Sequence, residues 1–383
     1  MGIPVIDLQG ALAPGGPRVP EVVRQLREAA MASGFFYVRH HGVDRWMVQR
    51  QFALARELLE LPAERRAALS IRHSPIMRGF EALGEQTLDA AMKPDLKESF
   101  YCGMDWPAEH PFVQAGYQTY GPSQWPEELP QAKGLCEAYI AAMNRLSERI
   151  MQLMALSLDL PEAYFDTACR EPMVTLRMIR YPAHPAEADE RTFGAGAHTD
   201  WGAITILAQD HHGGLEVQTP GGDWVEAPPM EDAFVVNLGD MIPRWTNGRY
   251  HSNPHRVRNR HSGGAPRFSI PFFFEPNYLA RIEAVPGTVA PGERPRWAPC
   301  TAGEHLREMI ALIKRAQQRG LEQHAHDRRE RHRQHDGEPE GIDDGRKPGR
   351  KERAHHVQRT VGEIDHVHDA EHQRQSCREQ EQH

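Results

Sequence analysis

Three residues in the second half of the chain could together bind a metal ion. His198 and Asp200 stand two positions apart, just before an apolar run that predicts a strand over Ala203–Gln209. Side chains on a strand alternate between its faces, so we expect this imidazole and this carboxylate to project from one face. His255 follows several further predicted strands that could return it to the same place. Two imidazoles and one carboxylate form the facial triad that leaves iron(II) with open positions.

A second pair of residues could bind an organic acid beside this metal. Arg267 and Ser269 lie on a predicted strand that begins twelve residues after His255. Their spacing places the guanidinium and the hydroxyl on the same face of that strand. Arginine grips a carboxylate with two hydrogen bonds, and serine can add a third. The sequence therefore predicts a metal site next to a carboxylate clamp.

The pattern resembles that of the iron(II)- and 2-oxoglutarate-dependent dioxygenases, and specifically their isopenicillin N synthase-like branch, of which we expect a bacterial member. In that family His-x-Asp is followed by a distal His and then by Arg-x-Ser, and all five positions match here. The resemblance also includes Ile3–Leu8 and Gly34–Val38, and it covers roughly residues 3 to 312.

The resemblance implies roles for six residues. It implies that the catalytic Fe2+ is held by His198, Asp200 and His255. It implies that the 2-oxoglutarate co-substrate is bound by Arg267, Ser269 and Tyr181. The expected reaction decarboxylates 2-oxoglutarate with O2 to succinate and carbon dioxide, and couples this to oxidation of a small molecule.

One position departs from the family pattern. The family places Asn-x-Tyr against 2-oxoglutarate, whereas this chain has Ile179 where the Asn would stand and keeps only Tyr181. Tyr181 either contacts the co-substrate or is a core tyrosine whose hydroxyl bonds elsewhere.

Three other interpretations fit the same residues, namely two other activities and one protein without activity. An oxidase of the isopenicillin N synthase type would use the iron without 2-oxoglutarate, and the clamp would then hold the substrate carboxylate. An ethylene-forming and succinate-forming enzyme would consume 2-oxoglutarate itself. A catalytically inactive relic would keep the metal site and lose turnover.

Composition limits the partners and the compartment. The chain has 383 residues, a net charge of -8 and a pI near 6.3, and it shows no basic stripe, so we expect no nucleic acid partner. It shows neither a signal peptide nor an apolar segment long enough for a membrane span. The five cysteines have no paired spacing, which is typical of a reducing cytoplasm. A small-molecule substrate is the expected partner, and the oligomeric state stays open.

The periodicities predict a mainly β fold with flanking helices. Helical spacing favours helices over Val19–Ser33, Met47–Leu61, Pro130–Leu158 and Ala302–Ile313. Short strands separated by turns follow from Val174 onward and predict a sandwich or a double-sheet barrel. The resemblance implies that this α+β fold has a jelly-roll core, also called a double-stranded β-helix, preceded by a helical region with edge strands.

We expect three regions along the chain. Residues 1–120 form the amino-terminal dioxygenase region, and residues 121–313 form a long helix plus the jelly-roll domain. Residues 314–383 lack Phe, Trp and Tyr and contain ten histidines among many charged residues, so we expect a disordered tail. We hypothesise that an out-of-frame extension replaced the native carboxy terminus there.

Two sets of residues have both a functional and a structural interpretation. The residues of the first set could contact the substrate, or they could be structural, as members of ion pairs or as core aromatics. We favour the structural role for this set, which consists of Arg78, Phe80, Glu98 and Phe100. The second set could line the pocket, although plain core is the simpler assignment for Ile204, Ile206, Leu215, Val236 and Phe272.

Overall fold

The computed structural model describes residues 2–85, 94–183, 192–258, 264–312 and 315. Its strands are β1 (Val5–Asp7), β2 (Phe35–Arg39), β3 (Gly79–Glu81), β4 (Glu98–Cys102), β5 (Met173–Tyr181), β6 (Ala195–His198), β7 (Ile204–Gln209), β8 (Leu215–Gln218), β9 (Trp224–Glu226), β10 (Ala233–Leu238), β11 (His255–Val257), β12 (Arg267–Glu275), β13 (Arg281–Ile282) and β14 (Cys300–Thr301). Its helices are α1 (Val19–Ala32), α2 (Arg45–Leu59), α3 (Ala63–Ala68), α4 (Pro111–Gln114), α5 (Ala132–Ser157), α6 (Met241–Trp245) and α7 (302–312), with a 3-10 turn at Ile71–His73.

Two sheets form the body of the fold. The major sheet has eight strands in the order β1-β2-β10-β7-β12-β5-β4-β3, and the minor sheet has four in the order β6-β11-β8-β9. Strands β13 and β14 form a small separate sheet. Apolar residues of both main sheets pack into one cluster, which includes Phe35 and Ile179 from the major sheet and Leu215 and Val257 from the minor sheet. The expected mainly β fold with flanking helices and a jelly-roll core is confirmed.

Strand β5 shows how the sequence divides the two faces of the major sheet. Leu176 and Met178 are buried in the large cluster that also contains the apolar side of the helices. Ile179 and Tyr181 are buried in the second cluster, between the sheets. The division follows from the period of two along a strand. The helices therefore cover one face of the major sheet, and the minor sheet covers the other.

Local sequence signals set the ends of the helices that cover the sheet. The Asp44 side chain accepts a hydrogen bond from the Trp46 amide at 2.7 Å and caps α2. Gly34 follows α1 with a φ of +70°, and a Cβ there would lie 2.1 Å from the His251 carbonyl oxygen. Only glycine fits that conformation and that contact without strain, so α1 ends there and β2 begins.

The predicted elements are confirmed to within a few residues, with two differences. Strand β2 is not an edge strand, because it pairs with β1 on one side and with β10 on the other. The sequence did not predict strands β3, β4, β6, β13 and β14 or helices α3, α4 and α6. Apart from residue 315, the predicted tail over 314–383 lies outside the described residues.

No helix in the described ranges has both the length and the apolar character that a membrane crossing requires.

Candidate metal centre and its cavity

The three predicted metal ligands converge at one point between the sheets. His198 ends β6, and His255 begins β11 directly opposite it in the antiparallel register. The Asp200 Oδ1 atom lies 3.9 Å from His198 Nε2 and 3.8 Å from His255 Nε2. One ligand atom from each residue lies within 4.8 Å of the other two. The arrangement differs from the expected pair on one strand, because β6 ends at His198 and Asp200 lies in the loop that follows.

Hydrogen bonds leave one metal-binding atom free on His198 and on Asp200. His198 Nδ1 lies 2.7 Å from the Gly196 carbonyl oxygen, which can only accept, so Nδ1 carries the proton and Nε2 keeps its lone pair. Asp200 Oδ2 accepts hydrogen bonds from the Thr205 hydroxyl at 2.6 Å and from the Asn237 amide at 2.8 Å. Its other oxygen, Oδ1, therefore faces the two imidazoles.

The electrostatics keep His198 and Asp200 in their metal-binding protonation states. Burial, together with the adjacent His255, lowers the pKa of His198 to about 3. Burial alone would raise the pKa of Asp200, but the two imidazoles and the bonds from Thr205 and Asn237 bring it below its ordinary value. A neutral imidazole and an ionised carboxylate are the forms that coordinate a cation.

One carboxylate joins the two segments that carry the ligands. Asp240 accepts a hydrogen bond from Thr199, which lies between His198 and Asp200, at 3.0 Å. It accepts another from Ser252, which precedes the third ligand, at 2.7 Å. Gly239 allows this close packing, because a Cβ there would lie 2.3 Å from the Gly202 carbonyl oxygen.

Arg267 lies next to the cavity residue Tyr181 and has an unused donor. The residue is 1% exposed; its Nε donates to the Gly213 carbonyl and its Nη2 donates to Gln209 Oε1 at 3.1 Å. Its Nη1 atom is buried and has no hydrogen-bond partner among the described residues. Ser269 is on the same face of β12 and lines the cavity with the triad. The guanidinium can therefore accept a carboxylate in addition to its structural contacts.

Tyr181 lies next to this guanidinium. It pairs with Arg267 in the register of β5 and β12, and the guanidinium carbon stands 4.7 Å from its ring centre. A Cβ on Gly194 would lie 2.7 Å from the Tyr181 ring, so glycine lets the backbone that leads into β6 pass directly over this ring. Ile179 also lines the cavity and contributes an apolar side chain where the family pattern has an amide.

Two further cationic residues line the cavity and were not singled out from the sequence. Lys97 and Arg177 lie in the wall that also contains His198 and Asp200. Burial lowers the pKa of Lys97 to about 8, although the partner carboxylate Asp95 opposes the shift. A signal was present, because Lys97 has the strand spacing of Ser99 and Tyr101.

Thr205 and Asn237 were also missed. They are register partners on β7 and β10 and both bind Asp200. A polar residue inside the apolar run of β10 was the available signal for Asn237.

The favoured structural role is confirmed for the residues around β3 and β4. Arg78 is fully buried, and its guanidinium donates to the backbone oxygens of Cys102, Thr119 and Val174. Glu98 forms ion pairs with Arg66 and Arg180. Neither side chain lines the cavity of the triad, and the same holds for Phe80 and Phe100, which are core aromatics.

Only one of the suggested pocket walls faces the cavity. Leu215 lines it, whereas the others are buried on the helix side of the major sheet, namely Ile204, Ile206, Val236 and Phe272. Plain core was the simpler assignment for these residues, and it is correct for those four.

The residues fit a ferrous ion and 2-oxoglutarate. The triad offers two imidazole nitrogens and one carboxylate oxygen to a single ion, which is the donor set of non-haem iron(II) oxygenases. His255 Nε2 is the ring atom that faces Asp200. The Nδ1 atom of the same ring is buried without a partner among the described residues. The open Nη1 of Arg267 suits the far carboxylate of a dicarboxylic acid. These features define a metal-dependent jelly-roll oxygenase.

Comparison with known proteins identifies the family. Residues 3–128 match the family described as non-haem dioxygenase in morphine synthesis N-terminal. Residues 171–276 match the 2OG-Fe(II) oxygenase superfamily. The chain belongs to the 2OG-Fe(II) oxygenase superfamily and is a dioxygenase that uses Fe2+, 2-oxoglutarate and O2.

Individual relatives agree with this assignment. The chain is 36% identical over 309 residues to the 2-oxoglutarate-Fe(II) type oxidoreductase hxnY of Emericella nidulans, covering 79% of this chain and 88% of that protein. It is 41% identical over 278 residues to the 2-oxoglutarate-dependent dioxygenase caaD of Aspergillus niger, covering 71% and 84%. A Neurospora crassa protein solved with alpha-KG and thymine superposes with a TM-score of 0.72 at 28% identity, covering 81% of this chain and 97% of that chain.

Proposed function

We propose that the triad and the clamp described above form the active site, and that a small organic molecule is oxidised between the two sheets. In this proposal His198, Asp200 and His255 hold the iron. Tyr181, Arg267 and Ser269 bind the far carboxylate of 2-oxoglutarate. When bound together, iron and 2-oxoglutarate supply an O2-dependent oxidation of a C–H bond and yield succinate and carbon dioxide.

The protein residues orient the ligands and keep water away. Thr205 and Asn237 bind the distal oxygen of Asp200 and hold Oδ1 toward the two imidazoles. Arg267 is fixed by Gly213 and Gln209, so its free donor has a defined direction. Apolar side chains such as Phe35, Ile179 and Val257 surround the site and exclude solvent from it. A dry, preorganised pocket strengthens each polar contact with a ligand.

The observation that carries the proposal is the unpaired guanidinium nitrogen of Arg267. A buried donor without a partner is costly, and a bound carboxylate would satisfy it. Arg267 neighbours Tyr181 and is two residues from Ser269, and both of these residues line the cavity that contains the metal triad. A dicarboxylic co-substrate would contact Arg267 with one end and the metal triad with the other.

The test is succinate release from labelled 2-oxoglutarate by the iron-loaded enzyme. We expect release with wild type, and we expect the Kd for 2-oxoglutarate to rise about tenfold to 100-fold in Arg267→Lys, which cannot make the two-pronged contact. Exposed Arg45, which pairs with Glu231, offers Arg45→Lys as a matched control. Oxygen consumption without succinate would favour the oxidase. Iron and 2-oxoglutarate binding without the visible charge-transfer band would favour the relic.

The cellular location, the branch of the family and the source organism are also proposals. A cytoplasmic location is supported by the free thiols of Cys102, Cys136, Cys169 and Cys300. The isopenicillin N synthase-like branch stays a prediction. The bacterial origin also stays a prediction, and the two fungal relatives named above do not support it.

We also propose the division of the chain into residues 1–120, 121–313 and 314–383. The family matches over 3–128 and 171–276 support the first two regions.

A further inference from the structure

Lys97, which belongs to a buried ion pair, lines the cavity on the β4 side. The Lys97 side chain is 2% exposed, and its ammonium donates to Asp95 Oδ2 at 2.8 Å. The other oxygen of Asp95 accepts from the Gly196 amide at 2.9 Å, close to the ligand His198. Both members of the pair are therefore held in place before any ligand binds.

The ammonium of Lys97 keeps donors for a ligand. An ammonium carries three N–H groups, and Asp95 is its one hydrogen-bond partner among the described residues. A buried ion pair adds little stability compared with apolar residues of similar volume, because desolvation opposes the attraction. Lys97 lines the same cavity as the metal triad. Its unused N–H groups are thus available to a molecule in that cavity.

The neighbouring cation Arg177 is engaged with the protein. Its Nε donates to Ser99 at 3.0 Å, its Nη2 donates to Glu81 at 2.7 Å, and the guanidinium lies 4.5 Å from the centre of the Tyr101 ring. Arg177 therefore supports the polar wall, and Lys97 is the residue in this wall with donors to spare.

Lys97 and the clamp lie on opposite sides of β5. The major sheet has the order β7-β12-β5-β4, so Arg267 on β12 and Lys97 before β4 are separated by the strand that carries Tyr181. Arg267 bonds toward the β7 side, to Gln209 and to Gly213. A co-substrate bound to Arg267 would leave the Lys97 side of the cavity for a second molecule.

We propose that Lys97 is a specificity-determining residue that donates hydrogen bonds to an oxygen of the primary substrate. The substrate class is a small molecule with a carboxylate or carbonyl oxygen placed toward β4 while its reacting carbon faces the triad. This inference rests on the proposed function, because it assigns the clamp side of the cavity to 2-oxoglutarate.

The test measures ligand binding to the full chain loaded with Mn2+ in place of iron and saturated with 2-oxoglutarate. Calorimetric titrations use indole-3-acetate as a carboxylate probe, thymine as a carbonyl probe and 3-methylindole as a probe without oxygen. The main variant combines Lys97→Met with Asp95→Asn, which removes both buried charges together. Lys97→Gln is a second variant that keeps one donor toward Asp95 and guards against a folding defect in the first.

We expect at least one oxygen-bearing probe to bind wild type more tightly than 3-methylindole. Its Kd should rise about tenfold to 100-fold in the double variant, as expected for loss of a charged hydrogen bond, and by less in Lys97→Gln. The Kd for 2-oxoglutarate should not change. Lys133→Met is the matched control, because Lys133 pairs with Asp105 at 3.0 Å on a half-exposed surface.

Selective loss of indole-3-acetate binding would assign a carboxylate, and selective loss of thymine binding would assign a carbonyl. Equal probe affinity in wild type and both variants would overturn the inference. So would a wild type that prefers neither oxygen-bearing probe, or a loss of 2-oxoglutarate affinity with probe binding retained. If wild type binds the probes through Lys97 but does not bind 2-oxoglutarate, the proposed function is contradicted and the role of Lys97 in substrate binding is supported.

Discussion

The two faces of the major sheet have different tasks, although the same strands build both. On β12, Phe272 and Phe274 are completely buried against the layer that contains the helices. On the other face of that strand, Ser269 lines the cavity with the metal triad, and Arg267 lies beside it against the cavity residue Tyr181. Both faces are nearly inaccessible to solvent, so burial does not distinguish them.

The comparison separates stability from chemistry. The helix face is apolar, and its contribution to folding comes from burying hydrocarbon and filling volume. The cavity at the other face is lined by Lys97, Arg177 and Asp200, with Arg267 beside it. Burial of these charges opposes folding unless each one is paired. Changes on the helix face should therefore reduce stability, whereas changes on the cavity face should reduce ligand binding and turnover.

The largest expected effect is on the cavity face. Asp200→Ala removes the carboxylate that lies within 4 Å of both imidazole Nε2 atoms, so we expect succinate release to fall to background. Labelled 2-oxoglutarate turnover is the measurement, and Asp232→Ala at an exposed ion pair is the control. Turnover close to wild type would mean that the triad is not the metal site.

A large effect of the opposite kind is expected on the helix face. Phe272→Ala leaves a cavity beside Leu176 and Ile206, its register partners, and should lower the free energy of unfolding by about 3–5 kcal/mol. Urea denaturation measures this change. The Kd for 2-oxoglutarate of the folded fraction should match wild type. A normal stability with weakened 2-oxoglutarate binding would reverse the assignment of the two faces.

A smaller effect is expected from a residue that positions a ligand. Asn237→Ala removes one of two hydrogen bonds on Asp200 Oδ2, so we expect the affinity for iron(II) to weaken about 10-fold to 100-fold. Anaerobic titration against a competing chelator measures this affinity. Asn277→Ala, which removes an amide bond to the Thr167 carbonyl, should leave it unchanged. Unchanged affinity in Asn237→Ala would limit that residue to packing.

The smallest expected effect lies in the helix layer, away from the site. Asp44→Ala removes the cap of α2 and should cost about 1 kcal/mol of stability without changing turnover. Thermal unfolding in parallel with succinate release checks both statements, and Asp44→Ser should restore most of the loss. A fall in turnover larger than the fall in folded protein would show that α2 affects the cavity directly.

Much of the molecule could be predicted from the sequence because its signals are local. The helices have apolar residues at helical spacing, and Gly34 marks the end of α1 as expected. His198, Asp200 and His255 were found by type and order, and the structure brings them together.

The missed residues depend on contacts between distant strands. Thr205 and Asn237 bind the same oxygen because β7 and β10 pair in one particular register, which no local pattern specifies. The suggestion that Ile204 and Ile206 line the pocket was wrong for a related reason. Ile206 is buried on one face of β7 and Leu207 is half-buried on the other, so apolar character could not show which face points into the cavity.

The bridge at Asp240 has a consequence for metal selection. This carboxylate binds Thr199 and Ser252, so the two ligand-bearing segments are tied to a common anchor. The spacing of the ligands is thus imposed by folding, before an ion arrives. A cation of unsuitable radius would have to strain the protein or accept long bonds, and the barrel itself would discriminate among divalent ions by size.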